Sequence, residues 1–283
     1  MRWLLLPLLL LAFLSPRQEC PTRVIVEVPA RVAGEAPSPQ VPPLRVGNSA
    51  APLGTDRAGR DARCLLSRGL ARSLTLALTV LALGVLPGLV LGLWLGWRGR
   101  LMALPGEVIV LLALVLLLGR DSFRLVLALG VMAVTARLIA VRVDAVLREP
   151  FVEGALALGG GTGHLLRRHV LPHLLPGLPV VVATVLSAVF VWLMELGALG
   201  FYDRGTVIIA FTDSLDLVQD VQAFPLGADL GQLISFFRWS WLDTPEQLVW
   251  PVLLLVVLTA ALKDLARRGW ARRRLRLPRV PQE

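Results

Sequence analysis

The chain has 283 residues, 55% of them hydrophobic and only 17% charged, and its mean hydropathy is +0.70. Soluble domains carry roughly 25% charged residues, so a soluble enzyme, a disordered chain and a small secreted disulfide scaffold are excluded, and a polytopic membrane protein is predicted. The net charge of +9 does not point to nucleic acid, because cations in a membrane protein follow topology and anionic lipid. Lys263 is the one lysine and follows Leu262, so the chain holds no Gly-Lys-Ser/Thr phosphate loop. If ATP drives this protein, another subunit hydrolyses it.

A spanning helix needs about 20 mostly apolar residues. The run Trp3 to Leu14, after Met1 and Arg2, fits a signal-peptide core about as well as an anchor helix, and either reading places the following segment outside. Residues 15–72 form a polar loop rich in Pro, Gly and Arg, with little room for a core. Five longer apolar runs are predicted as spans: Ser73 to Gly96, Leu101 to Gly119, Leu125 to Val141, Leu174 to Gly197 and Leu248 to Leu262, the last short and extended by Leu265 and Ala266. A second polar loop covers 198–247, and 267–283 form a basic tail. With alternating helices the two long loops share the outer side. The inner segments then hold 16 cations against 13 outside, and the second outer loop carries seven acids against Arg204 and Arg238. Gly84, Gly88, Gly92 and Gly96 recur every four residues, a stripe that permits close helix approach, and Pro87 within it is expected to kink the helix.

The informative inner segment is REPFVEGALALGGGTGHLLRRHVLPHLLP, residues 148–176. It reads as a short helix (Val152 to Leu158), a glycine turn (Gly159, Gly160, Gly161, Gly163) and a second short helix limited by Pro172. Such a knob between two spans suits docking into another protein. The glycines do not make a phosphate cradle without a lysine or a preceding strand.

The order Glu153-Gly154-Ala155, then Gly159, then His169-Val170-Leu171-Pro172 resembles the EAA loop of binding-protein-dependent ABC importer permeases. PLGTDRAGRDARCLLSRGLARSLTL, residues 52–76, is similar to the Leu-Gly-Thr-Asp-x-x-Gly-Arg-Asp signature of the dipeptide, oligopeptide and nickel permeases in that family, through Gly54, Thr55, Asp56, Gly59, Arg60 and Asp61. The resemblance runs from about Pro52 to Lys263 and includes ADLGQLISFFRWSWLDTPEQLVWP in the second outer loop. Gly154 stands where the family has Ala, and the last helix lacks the family's Asn-Leu-Leu-Gly-Asp ending. Both departures bear on cargo more than on transporter class.

The resemblance implies an all-α polytopic bundle of five or six spans, of the type I ABC importer permease kind, with the permease domain at 73–266 and the coupling loop at 148–176. It also implies that Glu153, Gly154, Ala155, Gly159, His169, Leu171 and Pro172 meet an ATPase, with Gly154 and Ala155 packing flat, Gly159 turning the chain and Leu171-Pro172 ending the second short helix. The implied partners are a second permease, ABC ATPase subunits, an extracytoplasmic binding protein and the bilayer, with no nucleic acid. ATP and Mg would sit in the partners and no cofactor in this chain. The cargo would be a peptide, or else nickel or another small solute, and the chain would lie in the inner membrane with its C-terminus cytoplasmic.

A rival reading makes His164, His169 and His173 a metal site of a membrane-embedded enzyme; Pro172 between the last two, and the lack of nearby Cys or acid, favour an interfacial role, with no metal bound. Cys20 and Cys64 both fall in the first outer loop, where a disulfide would pin the loop to the next helix. Glu107, Arg137 and Glu195 sit near helix ends, where snorkelling competes with a role on a transport path.

Overall fold

The computed structural model describes residues 20–21, 26–28, 38–40, 42–99, 107–157, 161–203, 206–212, 219–225, 229–238, 241 and 244–274. Among these, β1 (Val26–Val28) and β2 (Ser38–Gln40) pair antiparallel. The helices that follow are α1 (Ala62–Trp97), α2 (Glu107–Leu118), α3 (Phe123–Leu147) and α4 (Pro150–Ala157). A helical run then passes through α5 (Thr162–Leu165), a π turn (Leu166–Val170), α6 (Leu171–Leu174) and a 3-10 turn (Leu175–Gly177) into α7 (Leu178–Ala198). After it come the antiparallel hairpin β3 (Thr206–Thr212) and β4 (Gln219–Pro225), then α8 (Leu230–Phe237) and α9 (Pro245–Arg274).

Four helical segments are long and apolar enough to cross a membrane (Ala62–Trp97, Phe123–Leu147, Gly163–Ala198 and Pro245–Gly269), and Val108–Leu118 is a shorter apolar helix. These five coincide with the five long predicted runs, and the fold is the predicted all-α transmembrane bundle with two small hairpins added. The run 3–14 lies outside the described residues. Leu83, Leu86, Val90, Ile109 and Leu117 are 60–81% exposed, an apolar surface that hydrocarbon covers at no cost and water does not.

Helix ends differ from the apolar runs. α1 begins 11 residues before the run at Ser73, so the loop predicted to end at residue 72 ends at Asp61. α9 continues past Leu262 to Arg274, into the predicted tail. Charged residues ended the apolar runs but do not end helices, because Arg has high helix propensity.

The chain forms two compact units. The first is built from Ala77–Val189 and Leu258–Glu283. Within it the glycine stripe of α1 lies directly on α3: a Cβ added at Gly84, Gly88, Gly92 or Gly96 would fall 2.5–2.8 Å from the carbonyl oxygens of Ala128, Met132, Ala136 and Ala140, respectively. Both helices present positions four apart, so the backbones approach over three turns, and Leu95, Ala136 and Ala140 form a buried cluster beside them. Pro87 sits inside α1 without ending it. Gly269 of α9 lies close to Val180 of α7 in the same way, next to Ala183 and Ala266.

The second unit is built from the described residues within 20–76 and Phe190–Val257. Here the structure joins Cys20 to Cys64, in the first turn of α1, through a disulfide with Cα atoms 6.0 Å apart. The second polar loop is not irregular throughout: α8 is buried on nearly every face, with Leu230, Gly231, Gln232, Leu233, Ile234, Ser235 and Phe237 all inaccessible. Gly231 of α8 and Gly197 of α7 meet backbone to backbone, a Cβ at Gly197 falling 2.5 Å from the Gly231 carbonyl oxygen.

Candidate functional site

The candidate coupling segment follows α3 in the first unit. Arg148 and Glu149 turn the chain, the Glu149 N–H donating to Val146 O, and α4 starts at Pro150, whose fixed φ and absent N–H suit a first helical position. Val152 is buried at 1% exposure, and Leu165, Val170 and Leu174 are buried from the following run, so one apolar side of the knob is anchored in the unit. The other side is open. Phe151 is 41% exposed, and Gly154 is exposed with nothing within 4 Å of where a Cβ would stand. Ala155 is half-buried, giving α4 a bare outward strip where the sequence placed small residues for flat packing. Glu153 lies on α4, while Gly159 and Gly160 of the predicted turn lie outside the described residues.

Two details of the predicted segment change. Gly163 is inside α5 rather than in the turn. Leu171-Pro172 does not end the second helix, because the chain stays helical from Gly163 to Ala198. Pro172 has no N–H for the Arg168 carbonyl, and the backbone widens just before it, the Leu171 N–H donating to Leu166 O across five residues. Pro176 falls in the 3-10 turn for the same reason, and Leu178 N–H closes back on Leu175 O. Prolines thus reshape this run without stopping it.

His164, His169 and His173 gather around Phe151. The His173 ring stacks on Phe151 with centroids 5.4 Å apart, His169 lies 5.7 Å from Phe151, and His164 meets His169 edge-on at 6.1 Å. His173 Nδ1 lies 2.7 Å from the His169 carbonyl oxygen. Among the described residues no group of three or more His, Cys, Asp or Glu has the arrangement of a metal site. Phe151, Arg167 and Arg168 complete the exposed side of the knob, and the sequence reading gave none of the three a role. An aromatic directly after the helix-starting Pro150 was the signal available for Phe151.

The signature residues build a folded turn in the second unit. Thr55 accepts the Leu44 N–H at its Oγ1 (2.9 Å) and returns its own N–H to Leu44 O (3.1 Å), closing the chain on itself. Gly54 (φ +80°) takes a conformation that favours glycine, with the Leu44 carbonyl oxygen 2.6 Å from a Cβ position, so no other residue fits. Asp56 accepts the N–H groups of Ala58 and Arg60 at Oδ1 and pairs Oδ2 with the Arg60 guanidinium at 2.7–2.8 Å. Burial pushes the Asp56 carboxyl up from its ordinary value, while Arg60 and the two amides hold it down. Gly59 closes the turn at φ +70°, and Asp61 accepts the Arg63 N–H as α1 begins. Gln247 Nε2 at the start of α9 donates to the Thr55 carbonyl oxygen. The six signature residues thus lie in a folded turn, held by Leu44, that starts α1 and receives α9.

The α8 start is the other polar joint of this unit. Asp229 caps α8, its Oδ1 accepting the Gln232 N–H at 2.9 Å, and Ser73 Oγ of α1 accepts the Leu230 N–H at 2.8 Å. At the other end Arg238 donates to the Ala198 carbonyl oxygen. The sequence reading did not single out Asp229, although Asp-Leu-Gly-Gln before an apolar stretch has the spacing of a capping box. Glu195 is half-buried on α7, and Arg137 half-buried on α3.

No protein-family model matches the chain. It is 29% identical over 167 residues to the di/tripeptide transport system permease protein DppC of Pseudomonas aeruginosa, covering 54% of either chain. It is 28% identical over 228 residues to a protein of Brucella abortus named as a peptide permease, covering 75% of this chain and 71% of that one. A dipeptide transport system permease protein DppC of Alkalihalophilus pseudofirmus is 28% identical over 167 residues, again 54% of either chain. The chain is thus similar to proteins named as peptide permeases. Its match to the two DppC proteins spans about half of their length. As a permease relative with four long apolar helical segments, it is a multi-pass membrane protein.

Proposed function

We propose that this chain is the membrane-spanning subunit of an ABC importer, forming part of a translocation path for small peptides, with ATP hydrolysed by separate subunits. Its partners are a second permease, ABC ATPase subunits and an extracytoplasmic binding protein; ATP and Mg bind in the ATPases and this chain needs no cofactor. It is a transport subunit rather than an enzyme. The observation that carries the reading is the knob 150–174, anchored by Val152, Leu165, Val170 and Leu174 and open at Phe151 and Gly154, in a chain whose relatives are named as permeases. The Glu153-to-Pro172 segment then passes motion of the ATPases to α3 and α7, its covalent neighbours. The Cys20–Cys64 disulfide supports placing the start of α1 outside the cytoplasm, because such bonds persist in oxidising compartments. The intervening spans then put the knob and the C-terminus on the cytoplasmic side of the inner membrane.

The test is uptake of radiolabelled dipeptide into proteoliposomes holding this chain with its partner permease, ATPases and binding protein. ATP-dependent accumulation, lost without this chain, is expected. ATP-independent accumulation, or none for any di- or tripeptide, contradicts the peptide-importer reading.

A further inference from the structure

In the second unit Asp229 is 4% exposed, and its Oδ2 is buried without a hydrogen-bond partner. It stands where α8 meets α1 and α7: Leu230 N–H on Ser73 Oγ, and the Gly231 backbone against Leu193 and Gly197. The charged groups facing it are Asp203, from the segment after α7, and Arg72, on α1; the α7 contacts are uncharged, and β4, which also contacts α8, carries Asp220. An anion here has the Gln232 and Gly231 amides and Arg72 in its favour, and lost hydration and the Asp203 carboxylate against it.

We infer that Asp229 is a proton-binding site at which protonation locks α8 onto α1 and α7, and ionisation loosens that joint. The balance of forces agrees: burial, the largest influence, with Asp203 pushes the Asp229 carboxyl up from 3.8 to about 6, against the pull of the amides and Arg72. The locked joint therefore binds more protons than an opened one between those two values, and its advantage is lost as pH rises through about 6. Opening of α8 is expected to be about tenfold more frequent at pH 7.5 than at pH 5, the ratio those two values give by linkage. The inference stands on the second unit alone and does not need the importer reading.

The experiment is hydrogen–deuterium exchange on the purified full chain in lipid nanodiscs between pH 5 and 7.5, corrected for intrinsic exchange and read on peptides covering 229–238. Wild type should lose protection as pH rises, with a midpoint near 6. Asp229→Asn, which keeps the amide-accepting oxygen, should stay protected across the range, and Asp203→Asn should move the midpoint down. If Asp229→Asn retains the wild-type pH profile, the inference is overturned. If Asp229→Asn does not fold, the Asp203→Asn midpoint decides: an unchanged midpoint overturns the inference and a lowered one supports it.

Discussion

Substituting Gly92 of α1 by alanine tests whether the α1–α3 approach is as close as the structure has it. The added methyl would lie 2.7 Å from the Ala136 carbonyl oxygen, 2.8 Å from Ile139 Cβ and 3.0 Å from Ala136 Cα. Carbon contacts settle at roughly 3.5–4.0 Å, so the helices must part by about 0.5–1 Å, which forfeits a quarter to a half of each nearby dispersion contact. The obstacle is α3 backbone, which cannot turn aside as a flexible side chain would. Overpacking of this kind costs about 1–3 kcal/mol, and better helix propensity returns about 1 kcal/mol; the crowding wins in a helix that lipid already holds folded. The net loss, up to about 2 kcal/mol, corresponds to a Tm lower by up to roughly 4–8 °C for a domain of this size. Gly154→Ala is the control, since its methyl meets nothing within 4 Å. Thermal unfolding of the purified chain in detergent, followed by size-exclusion fluorescence, reads both. Gly92→Ala matching wild type, or Gly154→Ala falling as far, refutes the close-packed stripe.

Thr55→Val should lower stability by about 1–3 kcal/mol by leaving the buried Leu44 N–H without its acceptor, whereas Thr55→Ser should not; equal losses in thermal melts would mean that the hydroxyl is not what matters. Cys64→Ser should remove a cross-link between residues 44 apart, worth about 4 kcal/mol on loop entropy, and should destabilise as much as reductant does; peptide mapping without reductant that finds both thiols free contradicts the bond. Arg60→Ala should be worse than Arg57→Ala, because it leaves the buried Asp56 carboxylate without its cation; melting curves that rank them the other way would unseat the folded-turn account.

Much of the architecture was legible because membrane spans are written in composition. Runs of apolar residues located five helices, and the four-residue glycine spacing identified the face of α1 that meets α3. Helix ends were less legible: Ala62 to Arg72 and Arg267 to Arg274 are helical in spite of their charge, since hydropathy marks the bilayer and not the hydrogen-bonded helix. The turn Gly54 to Asp61 could be read as a motif, but its hydrogen bonds to Leu44 and Gln247 cross 11 and 192 residues and leave no local trace. Pro172 looked like a helix stop because the rule considers only the missing N–H; the π turn at Leu166–Val170 absorbs that loss. Asp229 was passed over because a short polar-flanked stretch in an acidic loop gives no hint that tertiary packing buries it.

The central claim is that residues 150–174 dock an ATPase. The direct measurement is a mild-detergent pull-down of the tagged chain from its native membrane, comparing wild type with Glu153→Arg combined with Gly159→Pro at matched insertion. Wild type should bring down both an ATPase and a second permease, and the variant should lose the ATPase while keeping the permease. An ATPase held equally by both, or absent from wild type across several detergents, contradicts the account.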